Sequence, residues 1–204
     1  ETMSTLAHRI YTPDEYLRLE RAADHRSEFV NGRIHAKSGA SRNHNQIVFN
    51  LAREIGIRLK GRPCEAYVSD MRVKVSRTGL YTYPDLVAHC GEALLEDAYG
   101  DTLLNPSVIV EVLSDSTEKY DRGGKFAHYR SLDSLREYVL VSQNLPRVEQ
   151  YVRNGELWTL KAIDGLDASI SIETLECTVA LADIYDRVEF PSIVEREPEL
   201  RRTV

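Results

Sequence analysis

The sequence has few of the features that mark specialised classes of protein. It contains no apolar run approaching the roughly 18 residues of a membrane-spanning helix and no signal-peptide pattern, so we expect no membrane association and a cytoplasmic location. Its three cysteines lie far apart and form no C-x-x-C pair. That spacing disfavours a zinc site or a disulfide framework and predicts buried, reduced thiols. The net charge of −6 argues against broad, nonspecific nucleic-acid binding, although a local basic cleft is compatible with it.

The length and composition are those of one ordinary globular domain. The 204 residues are 42% hydrophobic and 28% charged, which is enough apolar material to build a substantial core. We expect an N-terminal extension at residues 1–10, a single domain at 11–190, and a flexible tail at 191–204, where the chain is charged and contains proline.

Patterns in the first 62 residues predict two helices separated by a hairpin. Thr12, Pro13 and Glu15 form the start of a helix, with the threonine as N-cap and the glutamate completing a capping box. Asn31-Gly32 between two short apolar runs predicts a hairpin turn. Apolar residues then recur at helical spacing until a glycine ends the pattern: Ile47, Leu51, Ile55, Leu59 and Gly61.

From residue 63 the hydrophobic period changes to two, which predicts strands. We expect a short helix near 93–98 and a longer one over 117–131, despite the two glycines Gly123 and Gly124 inside it. Strands are predicted on both sides of the longer helix, and strands joined by a helix are parallel. The pattern therefore indicates an α/β fold with a mixed sheet.

Glu111 is out of place in its segment. Ser107, the apolar β-branched residues at 108–110, and Val112-Leu113 surround it, and such a run predicts a strand covered on both faces. A carboxylate buried there needs a partner, a proton or a metal ion. Asp85 precedes another apolar strand. If the two strands pair, the carboxylates lie close and repel, and a divalent cation that prefers oxygen ligands, Mg²⁺ or Mn²⁺, would relieve the repulsion.

Further charged residues extend this acidic pair. Glu28 opens the predicted hairpin and could complete the site from the other side. Asp121, Lys125 and Tyr129 are spaced by four residues and so share one face of the predicted helix. A lysine directed at the carboxylates could orient or activate water, or offset negative charge that develops on a phosphate.

The order of these residues, E–PD–E-x-V–K, resembles the PD-(D/E)XK nuclease superfamily. It is more closely similar to the Uma-two family of restriction-endonuclease-like bacterial proteins. The resemblance extends from about Tyr11 to about Asp186 and implies a restriction-endonuclease-like mixed β-sheet core flanked by helices. The segments that carry it are YTPDEYLRLE, SEFVNGRI, His44 before the long helix, SDMRV, YPDLV, VIVEVLSDST, DRGGKFAHY and EYVLVS.

The resemblance also implies roles for individual residues. Asp85 and Glu111 would be metal ligands, and the backbone carbonyl of Val112 would be a third. The superfamily usually places its catalytic lysine two residues after the second acid, but Leu113 occupies that position here, so Lys125 of the following helix would replace it. The remaining site residues would have supporting roles: Glu28, Asp121, Tyr129 and His44.

Each of these residues also has a purely structural alternative. Glu111 could pair with a buried arginine or lysine, with no metal. Asp85 could be a strand-entry turn residue, and Glu28 a solvated hairpin residue. Asp121 and Lys125 could form a surface ion pair. His44 could be a polar residue at the start of a helix. Tyr129 could be a packing residue with a hydrogen-bonded hydroxyl.

The leading hypothesis from sequence is a Mg²⁺- or Mn²⁺-dependent endonuclease acting on nucleic acid, with DNA favoured as the substrate. A homodimer is expected, since enzymes that cut both strands commonly use two symmetric sites. The alternative is a catalytically silent nuclease-fold protein that binds nucleic acid or a protein partner, which the displaced lysine and the acidic net charge favour. A third possibility is a dimerising structural domain, which would need Glu111 paired with a basic residue and no cleft.

Overall fold

The computed structural model describes residues 9–191; residues 1–8 of the expected extension and 192–204 of the expected tail lie outside it. The helices are α1 Pro13–Ala22, α2 Arg42–Leu59, α3 Glu118–Tyr120, α4 Phe126–Tyr129 and α5 Leu181–Ile184, with a π-helical turn, Asp121–Lys125, between α3 and α4. The strands are β1 Ser27–Val30, β2 Arg33–Ala36, β3 Cys64–Val68, β4 Arg72–Val75, β5 Leu80–Thr82, β6 Leu86–Cys90, β7 Thr102–Leu103, β8 Val108–Leu113, β9 Glu137–Ser142, β10 Arg147–Asn154, β11 Leu157–Asp164, β12 Ser169–Ile172 and β13 Cys177–Ala180.

The described residues form three sheets, two of them large and the third a two-stranded pair of β12 and β13. The larger is six-stranded and mixed, in the order β11-β10-β9-β8-β6-β3, and the second is five-stranded, in the order β2-β1-β5-β4-β7. Strands β8 and β9 are parallel and are joined through α3 and α4, as the sequence predicts. Strand β6 pairs with β8 in antiparallel fashion. The α/β prediction of a mixed sheet core flanked by helices is confirmed.

The larger sheet is covered on both faces. All four apolar positions predicted for α2 are buried, and they pack with Val110 and Val112 of β8 in one core cluster. Ile109 and Leu113 of the same strand point the other way, into a cluster shared with β4, β5 and β7 of the second sheet. Because β8 lies between these two layers, Glu111 is a polar residue inside a strand that is buried on both sides.

The predicted start of α1 and the first hairpin both form. Thr12 Oγ1 accepts a hydrogen bond from the Glu15 backbone N–H at 3.2 Å, and the glutamate side chain accepts one from the Thr12 N–H at 2.9 Å. Asn31 and Gly32 both have positive φ, 51° and 75°, as a type I′ turn requires. This turn sets the register of β1 and β2, in which Glu28 lies opposite His35.

Replacing Gly32 with alanine is expected to destabilise the protein by about 2 kcal/mol. The alanine would be forced into the left-handed region at φ 75°, and its Cβ would collide with Cγ2 of Ile10. Gly155 is a matched control, because it has φ 63° in a second hairpin but no heavy atom within 4 Å of an added Cβ. Gly155→Ala should therefore cost only about 1 kcal/mol. Urea unfolding of both variants measures the difference, and equal losses would contradict the predicted collision.

The prediction of a short helix near 93–98 is wrong. This segment is irregular and is held to α1 by ion pairs, with Arg21 contacting Asp97 at 2.8 Å and Asp101 at 2.9 Å. The side chain of Asn105 also accepts a hydrogen bond from the Leu94 backbone N–H and donates one to the Glu92 carbonyl. Tertiary charge pairs and side-chain-to-backbone bonds therefore replace the helical hydrogen bonds that a local pattern suggested.

The prediction of three reduced thiols is also wrong. Cys64 and Cys90 form a disulfide, because β3 and β6 pair with these two residues in register and bring their Cα atoms to 4.0 Å. A separation of 26 residues contains no local signal for that pairing. Cys177 is buried and free.

None of the helices described between residues 9 and 191 has the length and apolarity needed to cross a bilayer.

Candidate metal and nucleic-acid site

Asp85 and Glu111 lie side by side on paired strands. The register of β6 and β8 sets Leu86 opposite Val110, so the preceding aspartate falls opposite the following glutamate. Asp85 Oδ2 accepts the Val112 backbone N–H at 2.8 Å, which fixes the two strand ends together. Asp85 is 6% exposed and Glu111 3%, and both line one cavity of about 400 Å³. The strands that carry Asp85 and Glu111 therefore pair, which was the condition for the two carboxylates to lie close together.

Glu111 is held by two donors on one oxygen. Its Oε1 accepts from Lys125 Nζ at 3.1 Å and from the Tyr129 hydroxyl at 2.9 Å. Burial raises the pKa of Glu111 to about 8, because the loss of solvation outweighs the attraction of the lysine. Both hydrogen bonds go to Oε1, which leaves Oε2 available to a further ligand from the cavity.

Lys125 sits among three carboxylates. Besides Glu111, its Nζ lies 3.3 Å from Glu28 Oε1 and 3.3 Å from Asp121 Oδ1. Burial alone would lower the pKa of Lys125, but these negative charges raise it well above its ordinary value. Asp121 is 2% and Lys125 5% exposed, so their ion pair is buried and not on the surface. Glu28 is likewise engaged rather than solvated, since it also accepts the Thr82 hydroxyl at 2.6 Å.

The π-helical turn carries both Asp121 and Lys125 to this position. Such turns are rare and occur frequently at functional sites. The Tyr138 hydroxyl donates to the Asp121 backbone carbonyl at 3.0 Å, which ties the turn to β9. The predicted helix over 117–131 is therefore present in three parts, and the two glycines lie in the middle part. Packing explains the glycine at position 124, because a Cβ there would lie 2.5 Å from the Tyr120 ring.

Asp85 is surrounded by positive or donating groups. His44, near the start of α2, places Nε2 3.1 Å from Asp85 Oδ2, and Lys37 Nζ lies 3.7 Å from Oδ1. Burial would raise the pKa of Asp85, but the contacts with His44, Lys37 and the Val112 N–H lower it below its ordinary value. His44 therefore contacts the site and helps to hold Asp85 as a carboxylate.

Sequence reasoning missed Lys37 and Tyr120, which line this cavity, and Thr82, whose hydroxyl donates to Glu28. A signal existed for the lysine. The Asn-Gly turn fixes Glu28 opposite His35, and strand alternation then places residue 37 on the same side as 35. For Thr82 and Tyr120 the sequence holds no comparable signal, because their positions depend on the second sheet and on the π-helical turn.

Residues 13–182 match the Uma2 family, which is described as "Putative restriction endonuclease". The chain belongs to this family. Two relatives are uncharacterised proteins of Synechocystis sp. (strain ATCC 27184 / PCC 6803 / Kazusa). The protein sll1609 is 38% identical over 82% of this chain and 96% of its own length. The protein slr1290 is 36% identical over 88% of this chain and 93% of its own length. The Uma2 match confirms the family resemblance seen in the sequence.

A solved structure shares the Uma2 chain's fold. It is described as a "putative nuclease belonging to DUF820" from Anabaena variabilis ATCC 29413. The TM-score is 0.70, with 84% of this chain and 96% of that chain covered at 19% identity. At that identity the likeness shows the fold alone.

The donor set of this Uma2 chain fits a small divalent cation. Between residues 9 and 191, no group of three His, Cys, Asp or Glu side chains is arranged to hold a metal ion. Mg²⁺, however, is commonly bound by only one or two carboxylates, with water and substrate oxygens as its other ligands. Asp85 and Glu111 are two such carboxylates, and Val112 lines the same cavity. The surplus of carboxylates over lysines at the cavity wall also favours a cation there.

Proposed function

We propose that this Uma2 protein is a Mg²⁺- or Mn²⁺-dependent endonuclease that hydrolyses phosphodiester bonds of DNA, with residues 11–190 as its nuclease domain. One observation carries the proposal. Two buried carboxylates from paired strands, Asp85 and Glu111, face one cavity, and the ammonium group of Lys125 lies 3.1 Å from the second. The restriction-endonuclease-like family supports nucleic acid as the substrate.

Asp85, Glu111 and the carbonyl of Val112 would hold the ion. A bound divalent cation polarises the scissile phosphate and lowers the pKa of water bound to it. Asp85 offers a carboxylate already ionised by its contacts with His44 and Lys37. Glu111 gives up any proton it carries when a cation competes for the same oxygen atoms.

Lys125 would act on the substrate from beside the ligands. Its charge is maintained by Glu28 and Asp121, and its Nζ donates to Glu111 on the cavity wall. From that position it can orient the attacking water or offset charge developing on the phosphate. Tyr129 fixes the orientation of Glu111 through its hydroxyl. His44 does the same for Asp85.

The homodimer and the cytoplasmic location are part of this proposal. Double-strand cleavage is commonly carried out by two copies related by two-fold symmetry. A protein that only nicks DNA can act as a monomer, so analytical ultracentrifugation with and without duplex DNA tests the dimer separately from the chemistry.

The decisive experiment combines ion binding with cleavage. We expect calorimetry to detect a site for Mn²⁺ and for Mg²⁺, and supercoiled plasmid to be nicked or linearised with either ion. EDTA should stop the reaction, and excess Mn²⁺ should restore it. RNA of matched sequence, incubated in parallel, tests the preference for DNA. Failure to bind either ion, together with intact plasmid, would contradict the proposal.

A specific observation favours the silent nuclease-fold protein as the second candidate. Leu113 occupies the usual lysine position and is 4% exposed, while Lys125 already neutralises part of the charge on Glu28, Glu111 and Asp121 without any ion. Under this alternative, the chain would bind nucleic acid or a protein partner but would leave plasmid intact at every concentration of Mn²⁺.

A further inference from the structure

Tyr120 is a large aromatic side chain at a polar cavity. It is the last residue of α3, directly before the π-helical turn, and it is 38% exposed. It lines the same cavity as Asp85, Glu111 and Lys125, and it is the one Tyr, Phe or Trp among the lining residues. Among the contacts within residues 9–191, its hydroxyl makes no hydrogen bond, so the hydroxyl does not account for the position of the ring.

The ring is positioned by a glycine. Tyr120 Cδ2 and Cε2 would both lie 2.5 Å from a Cβ at Gly124, whereas a Cβ at Gly123 would have no heavy atom within 4 Å. The side chain therefore lies against the backbone of the π-helical turn at a distance that only glycine permits. The ring edge that carries Cδ2 and Cε2 thus lies close to Gly124, and the side chain remains partly open to solvent.

The charges of the cavity do not suit a continuous duplex. Its lining includes five carboxylates and two lysines. Both lysines are engaged, Lys125 with three carboxylates and Lys37 with Asp85 and the Tyr83 carbonyl. Tight binding of duplex DNA draws on many Lys and Arg contacts to phosphates. The cavity walls offer few contacts of that kind beyond a bound cation, and stacking of bases on aromatic rings adds affinity for unpaired strands.

We propose that Tyr120 stacks on an unpaired nucleobase beside the scissile phosphate, so that the protein cuts single-stranded nucleic acid, or the unpaired segments that a supercoiled plasmid exposes, rather than continuous duplex. This inference rests on the proposed function for the reacting bond. A base within a duplex is stacked on both sides, and presenting its face to Tyr120 would require it to leave the stack.

The test uses a single-stranded oligonucleotide with one 2-aminopurine, whose fluorescence is quenched by stacking. The full chain is titrated into it with Ca²⁺, a divalent ion that also takes oxygen ligands. Wild type should bind it and quench it, and should bind the same strand annealed to its complement at least about tenfold more weakly. Tyr120→Ala should weaken single-strand binding by about tenfold or more and remove the quenching. Tyr120→Phe should retain both.

Two glycine variants separate the position of the ring from the helix itself. Gly124→Ala should displace the ring and weaken binding, and Gly123→Ala should leave binding unchanged, although both make the same change within one turn. Thermal unfolding checks that all variants are folded. Unchanged single-strand binding in Tyr120→Ala, equal binding of duplex by wild type, or no binding of the single strand would each overturn the inference.

The same samples distinguish this inference from the proposed nuclease activity. Tyr120-dependent quenching without cleavage by Mn²⁺-loaded protein would support stacking and count against the nuclease. Mn²⁺-dependent cleavage that proceeds equally in Tyr120→Ala would support the nuclease and overturn stacking.

Discussion

Replacing Glu111 with glutamine is expected to lower the affinity for Mn²⁺ by at least about 100-fold and to abolish plasmid nicking. Glutamine keeps the shape of the side chain and one oxygen that can accept from Lys125 and Tyr129, but it removes a negatively charged ligand. The matched control is Glu176→Gln, which makes the same change at a side chain that is 84% exposed. Calorimetric titration of both variants and of Glu111→Ala measures the loss.

The same variant tests why a buried acid is tolerated at all. The wild-type pKa of Glu111 is raised to about 8 mainly by burial, so ionised Glu111 costs free energy in the folded protein when no cation is bound. Glutamine removes that cost, and we expect Glu111→Gln without divalent ions to be at least as stable as wild type at pH 8. Unchanged Mn²⁺ affinity in this variant would mean that Glu111 is a structural partner of Lys125, and the silent-protein alternative would then be preferred.

The parts of the site that sequence could predict are those that depend on one strand or one turn. Glu111 is recognisable because an apolar, β-branched run on both sides indicates burial, and burial makes a carboxylate costly whatever the tertiary fold. Glu28 could be predicted from the family resemblance and from its place at the opening of the Asn-Gly hairpin. The mixed sheet follows from a helix between two strands, β8 and β9, which are parallel in the structure.

The parts that could not be predicted depend on contacts between distant segments. The disulfide between Cys64 and Cys90 requires the register of β3 with β6. The segment around 93–98 is irregular because Arg21, over 70 residues earlier, supplies its ion pairs. Lys125 was predicted on a helix face, but its burial among three carboxylates depends on a π-helical turn, and helical periodicity of 3.6 gives no sign of such a turn.

Lys125→Met is expected to destabilise the protein by about 3–5 kcal/mol when no divalent ion is present. The substitution keeps the length of the side chain but leaves Glu28, Glu111 and Asp121 without their shared positive charge in a buried setting. Lys161→Met is the control, because residue 161 is exposed on β11. Urea unfolding in EDTA measures the difference between the two variants.

The response of Lys125→Met to Mn²⁺ separates the two candidate functions. If Asp85 and Glu111 hold an ion, Mn²⁺ at 100 times its dissociation constant should restore about 2.7 kcal/mol of stability. Cleavage should nevertheless remain about 100-fold or more below wild type, because the group that orients water or offsets phosphate charge is gone. Recovery of stability without recovery of the cleavage rate would assign Lys125 to the chemical step. If Mn²⁺ neither stabilises the variant nor binds wild type, Lys125 is the structural counter-charge of a buried acidic cluster. Because Leu113 then occupies the usual position of the catalytic lysine and no other lysine replaces it, the protein would have a nuclease fold without nuclease activity.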